Sequence, residues 1–230
     1  MKHKTITVMK RNILLLAALL TAAPFILTGC IRDPEVPVIN GPYIQMYYDG
    51  VLNCQVVNYN DVGPGLIFEI VGDGETDIVS YNSASTGEKK EVYDSLCNKH
   101  FDYGYHGEDP YADQPVKRCY AKDLLSISVT SDRDYDPQHP AGTPLDDIIV
   151  FNTYTPYPWI KGGYQGEPVF NRIKKYLKDL TEDDMKLLCA LNLCQLVFST
   201  APTLSSSHRM TVTVVTDDGV THSFEREVYF

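Results

Sequence analysis

Met210-Thr211-Val212-Thr213-Val214, then Thr216-Asp217-Asp218-Gly219, then Thr221-His222-Ser223-Phe224-Glu225-Arg226-Glu227-Val228-Tyr229-Phe230, is the stretch that decides the fold class. Met210, Val212 and Val214 alternate with threonines, and Phe224 and Val228 alternate with polar residues on the far side of the turn. A period of two places one set of side chains on each face of a strand. Asp-Gly between two such runs is a strong hairpin signal, because glycine accepts the positive φ that a tight turn requires. The reading is therefore a β-hairpin closing a sheet.

Working outward, further strands are expected at Ile44–Tyr48, Leu66–Val71, Asp77–Tyr81, Leu124–Thr130 and Ile148–Tyr154, all rich in β-branched or aromatic residues. Gly72-Asp73-Gly74 reads as a hairpin corner between two of them. Pro168–Leu180 is read as an amphipathic helix, with Val169, Ile173, Tyr176, Leu177 and Leu180 on one face and Arg172, Lys174, Lys175 and Lys178 on the other. Thr181-Glu182-Asp183-Asp184 reads as a helical cap of at least one turn. The apolar run Leu187–Phe198 fits a short helical turn followed by a buried strand. Together these imply a mainly β protein, an immunoglobulin-like β-sandwich with one inserted amphipathic helix. The expected division is 1–29 as a signal segment, 30–42 as a tether stiffened by Pro34, Pro37 and Pro42, and 43–230 as a single β-rich domain.

The start of the chain is basic (Lys10-Arg11) and runs into an apolar stretch from Ile13 to Leu27. At about 15 residues this is shorter than the roughly 20 that span a bilayer, so it reads as a sorting segment. Leu27-Thr28-Gly29-Cys30 resembles the lipobox of bacterial lipoproteins. That resemblance implies cleavage after Gly29, acyl chains such as palmitate on Cys30, and attachment to a membrane of the cell envelope. Ile31 after the cysteine implies outer-membrane sorting, and Arg32-Asp33-Pro34-Glu35 resembles in part the export tag of Bacteroidota surface lipoproteins. The periplasmic and outward faces stay open as alternatives. Two or more chains are needed for stable anchoring, since each buried CH₂ contributes about 0.8 kcal/mol.

Four of the 20 basic residues and none of the 30 acids lie in residues 1–29, which leaves 16 against 30, a formal charge of −14, for residues 30–230. A surface this acidic repels phosphate backbones, so a nucleic-acid partner is not expected. Apart from Cys30, five cysteines remain, and an odd number cannot all pair within one chain. Cys97 and Cys119 flank a polar stretch and are the expected pair; the alternative is that all five are reduced and mostly buried.

No nucleophile elbow, zinc helix or phosphate loop occurs in the sequence. Three segments could nonetheless carry chemistry. Asp132, Asp134 and Asp136 present a carboxylate at every second position, the spacing at which loop acids bind Ca²⁺, although Pro137 stands where a calcium loop needs glycine. Lys99–Gln114 gathers His100, Asp102, His106, Glu108, Asp109 and Asp113 among tyrosines, a set able to hold a transition metal, although His-x₅-His is not a standard ligand spacing. Tyr154, Tyr157, Trp159 and Tyr164 lie on a Pro- and Gly-punctuated loop, where ring faces could stack on a glycan or a protein partner. The structural alternative is that these rings pack beneath the loop.

Ser126–Phe230 is also similar to uncharacterised Bacteroidota lipoproteins. Ile127-Ser128-Val129-Thr130-Ser131-Asp132, His139-Pro140-Ala141-Gly142-Thr143, Leu180–Met185, Ala201-Pro202-Thr203 and the Asp218-Gly219 turn carry that likeness. It implies a tethered β-sandwich and no particular activity. The functional expectation is a lipid-anchored envelope protein with a binding or structural role. The alternative is a hydrolase of envelope or dietary polysaccharide whose carboxylates are not identified.

Overall fold

The structure, a computed structural model, describes residues 38–59, 63–72, 78–108, 118–166, 171–189 and 193–230. The signal segment and the Leu27–Cys30 site lie outside the described residues. Val38–Phe230 forms one compact unit, and it is mainly β. Its elements are β1 (Val38–Gly41), β2 (Met46–Asp49), β3 (Val51–Tyr59), β4 (Gly63–Val71), β5 (Val79–Asn82), α1 (Glu88–Lys99), β6 (Tyr105–Glu108) and β7 (Arg118–Tyr120). There follow β8 (Leu124–Ser131), β9 (Ile149–Thr155), α2 (Tyr157–Lys161), β10 (Asn171–Tyr176), β11 (Cys194–Phe198), β12 (Ser207–Thr216) and β13 (Thr221–Tyr229). Two 3₁₀ turns, Leu177–Asp179 and Glu182–Met185, lie between β10 and β11.

β12 and β13 pair from Ser207↔Tyr229 to Val215↔Thr221, so the opening stretch is a hairpin. Gly219 sits at φ +81° in its turn and donates its N–H to Thr216 O. β8 joins the other side of β12, completing a three-stranded antiparallel sheet. A five-stranded antiparallel sheet runs in the order β10-β9-β11-β4-β3. Both sheets feed one core: Leu52, Leu66, Phe68, Phe151 and Leu196 from the larger meet Ile127, Val129, Met210, Val212 and Val214 from the smaller. Each such side chain, once buried, contributes about 1.5–3 kcal/mol. At the β3–β13 margin, Arg226 Nε donates to Cys54 O at 2.6 Å, which ties the two sheets together by a charged hydrogen bond.

Register also defines two ends. Val51 lies opposite Val71, and Thr216 is aligned with Leu124, while Thr155 and Cys194 end β9 and begin β11 beside them. At this end sits a cap built from the sheet β5-β2-β7, with β2 and β7 parallel, the ribbon β1-β6, and the helices α1 and α2. A second core of Tyr43, Tyr47, Tyr93, Tyr105, Trp159 and Leu187 fills it. At the opposite end lie the 132–148 and 199–206 connections and Phe230.

Several expectations change. Pro168–Leu180 is not a helix: Asn171–Tyr176 is an edge strand on β9, followed by a 3₁₀ turn. Ile173 and Leu177, both buried, are four residues apart, a spacing that periods of 3.6 and of two both satisfy. The basic residues instead guard a sheet edge, where charge discourages pairing with another chain. Lys175 shares a face with Ile173 and reaches the Asp184 carboxylate at 2.8 Å. Among the described residues the long helix is α1, which the sequence pattern did not suggest. Leu66–Val71 and the 79–82 strand do not form a hairpin, since β4 pairs with β3 and β11 while β5 pairs with β2. β3 was also missed, although Leu52, Cys54 and Val56 alternate with Asn53 and Gln55. Residues 38–41 of the expected tether form a ladder with β6. The 3₁₀ turn at Glu182–Met185 does carry the anticipated cap, with Asp184 accepting from both Thr181 N and Thr181 Oγ1 at 2.8 Å.

Cys97 and Cys119 are not partners. Cys119 on β7 is bonded to Cys189, and Cys97 is a free, buried thiol on α1. Proximity in sequence misled here, because β7 lies beside the 187–189 segment: Tyr120 N donates to Leu188 O at 3.0 Å. Cys54 and Cys194 are free and buried as well.

Candidate functional site

The expected aromatic platform is turned inward. After Pro156 the chain enters α2, which buries Tyr157 and Trp159, the latter 7 % exposed. Trp159 packs edge-on against Tyr43 (centroids 4.9 Å), Tyr105 (5.4 Å) and Tyr164 (5.1 Å). Tyr164 is half-buried and donates its hydroxyl to Asp102 Oδ1 at 2.8 Å. Only Tyr154 is exposed, on β9. The four residues therefore do not form one exposed face.

The Lys99–Gln114 set is dispersed too. Asp102 accepts the backbone N–H groups of Tyr43 and Ile44 at 2.7 and 2.8 Å, and burial pushes its carboxyl pKa up. His100 pairs with Asp123, and His106 with Asn40. Asp109 and Asp113 lie outside the described residues.

The calcium candidates each hold their own loop. Asp132 accepts from Arg209 N and Asp134 from Ala141 N, both at 2.8 Å. Asp136 accepts from Gln138 N at 2.7 Å and from His139. Among the described residues, no group of three or more His, Cys, Asp or Glu converges to hold a metal ion.

What does form a concave site is the end of the sheets opposite the cap. Two adjoining hollows, of about 180 and 330 Å³, flank Phe230. The first lies among Gly63, Pro64, Phe198, Ser199 and Thr200, and the second among Pro202, Thr203, Leu204, Ser205 and Ser206, with Ala201 and Phe230 shared. The floor is aromatic: Phe230 meets Phe198 at 5.0 Å, Tyr135 at 5.6 Å and His208 at 5.9 Å between centroids.

The 199–206 wall is fastened from several directions. Ser199 N and Oγ both donate to Ile148 O, Thr203 N donates to Tyr135 O at 3.0 Å, and Phe230 N donates to Ser206 O at 3.0 Å. Beneath it, buried His208 gives Nε2–H to Ser205 O at 3.0 Å, and Nδ1 accepts the Ser131 hydroxyl at 2.8 Å. His208 is therefore a brace within β12. Ser131 and His208 are both buried, so the pair supports the groove wall from behind. A groove held this way loses little entropy on binding.

No family model, curated protein or solved structure matches the chain.

The 132–148 connection supports the groove through Tyr135 and carries a charge clamp. His139 lies with Nδ1 2.9 Å from Asp136 and Nε2 2.9 Å from Asp147. Burial works to lower the imidazole pKa, but the hydrogen bonds and charges of Asp136 and Asp147 outweigh it and raise the value above 6.5. A raised histidine pKa stabilises the folded loop fully below the unfolded value, and that contribution is lost as pH rises through the folded one. Amide protection factors at residues 135–139, each rate taken against the intrinsic rate at the same pH, should accordingly be higher at pH 5.5 than at pH 8.5. His139→Gln should remove that pH dependence; an equal dependence in the variant would rule out the clamp.

Proposed function

We propose that this protein is a lipid-tethered binding module of the bacterial cell envelope, attached through Cys30 and offering the Phe230 groove as its ligand seat. The observation that carries the reading is the separation of chain entry from groove. The chain enters the described unit at Val38, on the β1-β6 ribbon of the cap, and the groove lies at the other end of the strands. Eight residues from Cys30 to Val38 reach less than about 30 Å. A membrane-bound Cys30 would therefore keep the cap near the bilayer and leave the groove facing away.

Two further elements belong to this reading. The two sheets, with their shared core and hairpin-closed margin, are taken as an immunoglobulin-like sandwich. The membrane is taken as the outer one, on the residues that follow Cys30. Among the described residues no helix is long and apolar enough to cross a membrane.

The test expresses the full chain in a bacterium with radiolabelled palmitate. The label should be lost in Cys30→Ala. Retention of the label in the variant would end the anchor reading. Protease added to intact cells should cut near Leu204, which is 58 % exposed, only if the domain faces outward.

A further inference from the structure

The geometry points to a neutral saccharide as the ligand of the Phe230 groove, an inference that rests on the groove being the ligand seat. Its lining combines two kinds of surface. Phe230 contributes a half-buried ring, held on one side by Phe198, Tyr135 and His208. The negative face of an aromatic ring attracts partially positive C–H groups, which sugars expose on one face of each ring. Around it stand hydroxyl residues. Ser199 and Ser205 already donate theirs to backbone carbonyls. Those of Thr200, Thr203 and Ser206, among the described residues, make no hydrogen bond within the protein. A hydroxyl both donates and accepts, as sugar hydroxyls do, so the two sets can satisfy each other in either direction.

Charge narrows the class. The lining residues include no Lys, Arg, Asp, Glu or His, and the chain beyond residue 29 is strongly acidic. An anionic polysaccharide would meet no cation in the groove and a repelling field around it. A peptide bound by strand addition needs an open ladder edge. The lining takes only the start of β4, the finish of β11 and Phe230 just after β13, too short a run of ladder positions on any strand to seat an added one.

The experiment uses the full chain in detergent micelles, screened against neutral and uronate-containing oligosaccharides and a set of peptides, with hydrogen exchange to map any contact. A neutral oligosaccharide should bind saturably and slow exchange in 199–206, while uronate oligosaccharides should not. Phe230→Leu keeps apolar bulk and removes the ring, and should weaken binding about tenfold. Thr203→Val keeps shape and removes one hydroxyl, and should weaken it about threefold to tenfold. Both variants should melt cooperatively, which separates lost binding from lost folding. Protection of 199–206 by a peptide or uronate ligand alone would overturn the saccharide class and leave the seat standing. Neutral saccharide binding that is indifferent to both variants and leaves 199–206 unprotected would overturn the seat itself. No neutral binder across the panel would also overturn the saccharide class.

Discussion

Asp123→Ala should cost about 3–5 kcal/mol of folding stability, because it strips a buried charge from its partners. Asp123 is 3 % exposed. Its carboxylate lies 3.0 Å from His100 Nε2 and 3.0 Å from Lys99 Nζ, and it accepts the Leu187 N–H at 3.2 Å. Its backbone meanwhile exchanges hydrogen bonds with Asp217 in the β12–β13 turn, to which Lys99 is also paired. One residue thus joins α1, the 187–189 segment and the terminal hairpin. Burial by itself pushes the carboxyl upward, yet the hydrogen bond from His100 and the ammonium of Lys99 prevail and hold its pKa below 3.8. A depressed carboxylate pKa adds stability above the unfolded value, and this is lost as pH falls through the folded value. Urea titrations at pH 7 should show the full deficit of Asp123→Ala against the parent chain. At a pH below the folded value the gap between the two should narrow. A deficit under 1 kcal/mol at pH 7 would refute the hub.

The second large effect concerns Cys119–Cys189. This bond closes a separation of 70 residues, for which constraint of the unfolded chain is worth about 4 kcal/mol. In a chain of this size that corresponds to a drop of about 10 °C in Tm on reduction. The double variant Cys119→Ala/Cys189→Ala should melt at the lower temperature with or without reductant. Cys97→Ala should instead keep the full reductant sensitivity. Sensitivity that vanishes in Cys97→Ala would restore the pairing expected from sequence. Export, as proposed above, would expose the chain to the oxidants needed to form the bond.

How much of this could be read from the sequence depends on distance along the chain. The β12–β13 hairpin needed only an alternating pattern and Asp-Gly, and both are local. β4, β8 and β9 were legible for the same reason. The 171–176 strand was not, since Ile173 and Leu177 satisfy helix and strand alike. Helix α1 escaped because Glu88-Lys89-Lys90-Glu91 begins a largely polar segment that buries only Tyr93 and Cys97. Of the groove's lining, Ala201-Pro202-Thr203 stood out in the sequence, and only as part of a family likeness. Nothing local indicated that this stretch would meet Gly63, Pro64 and Phe198 around Phe230.

By itself, the sequence determined the class of the fold, the acidity of the domain and the resemblance of Leu27–Cys30 to a lipid-attachment site. Each depends on periodicity, composition or a contiguous motif. Tertiary structure alone decided which cysteines bond, that Trp159 is a core residue, and that the carboxylates of Asp132, Asp134 and Asp136 serve their own turns. It also placed the groove at the end opposite chain entry. Those outcomes depend on which strands become neighbours, and long-range pairing is selected by the burial of a shared core rather than by any local run of residues.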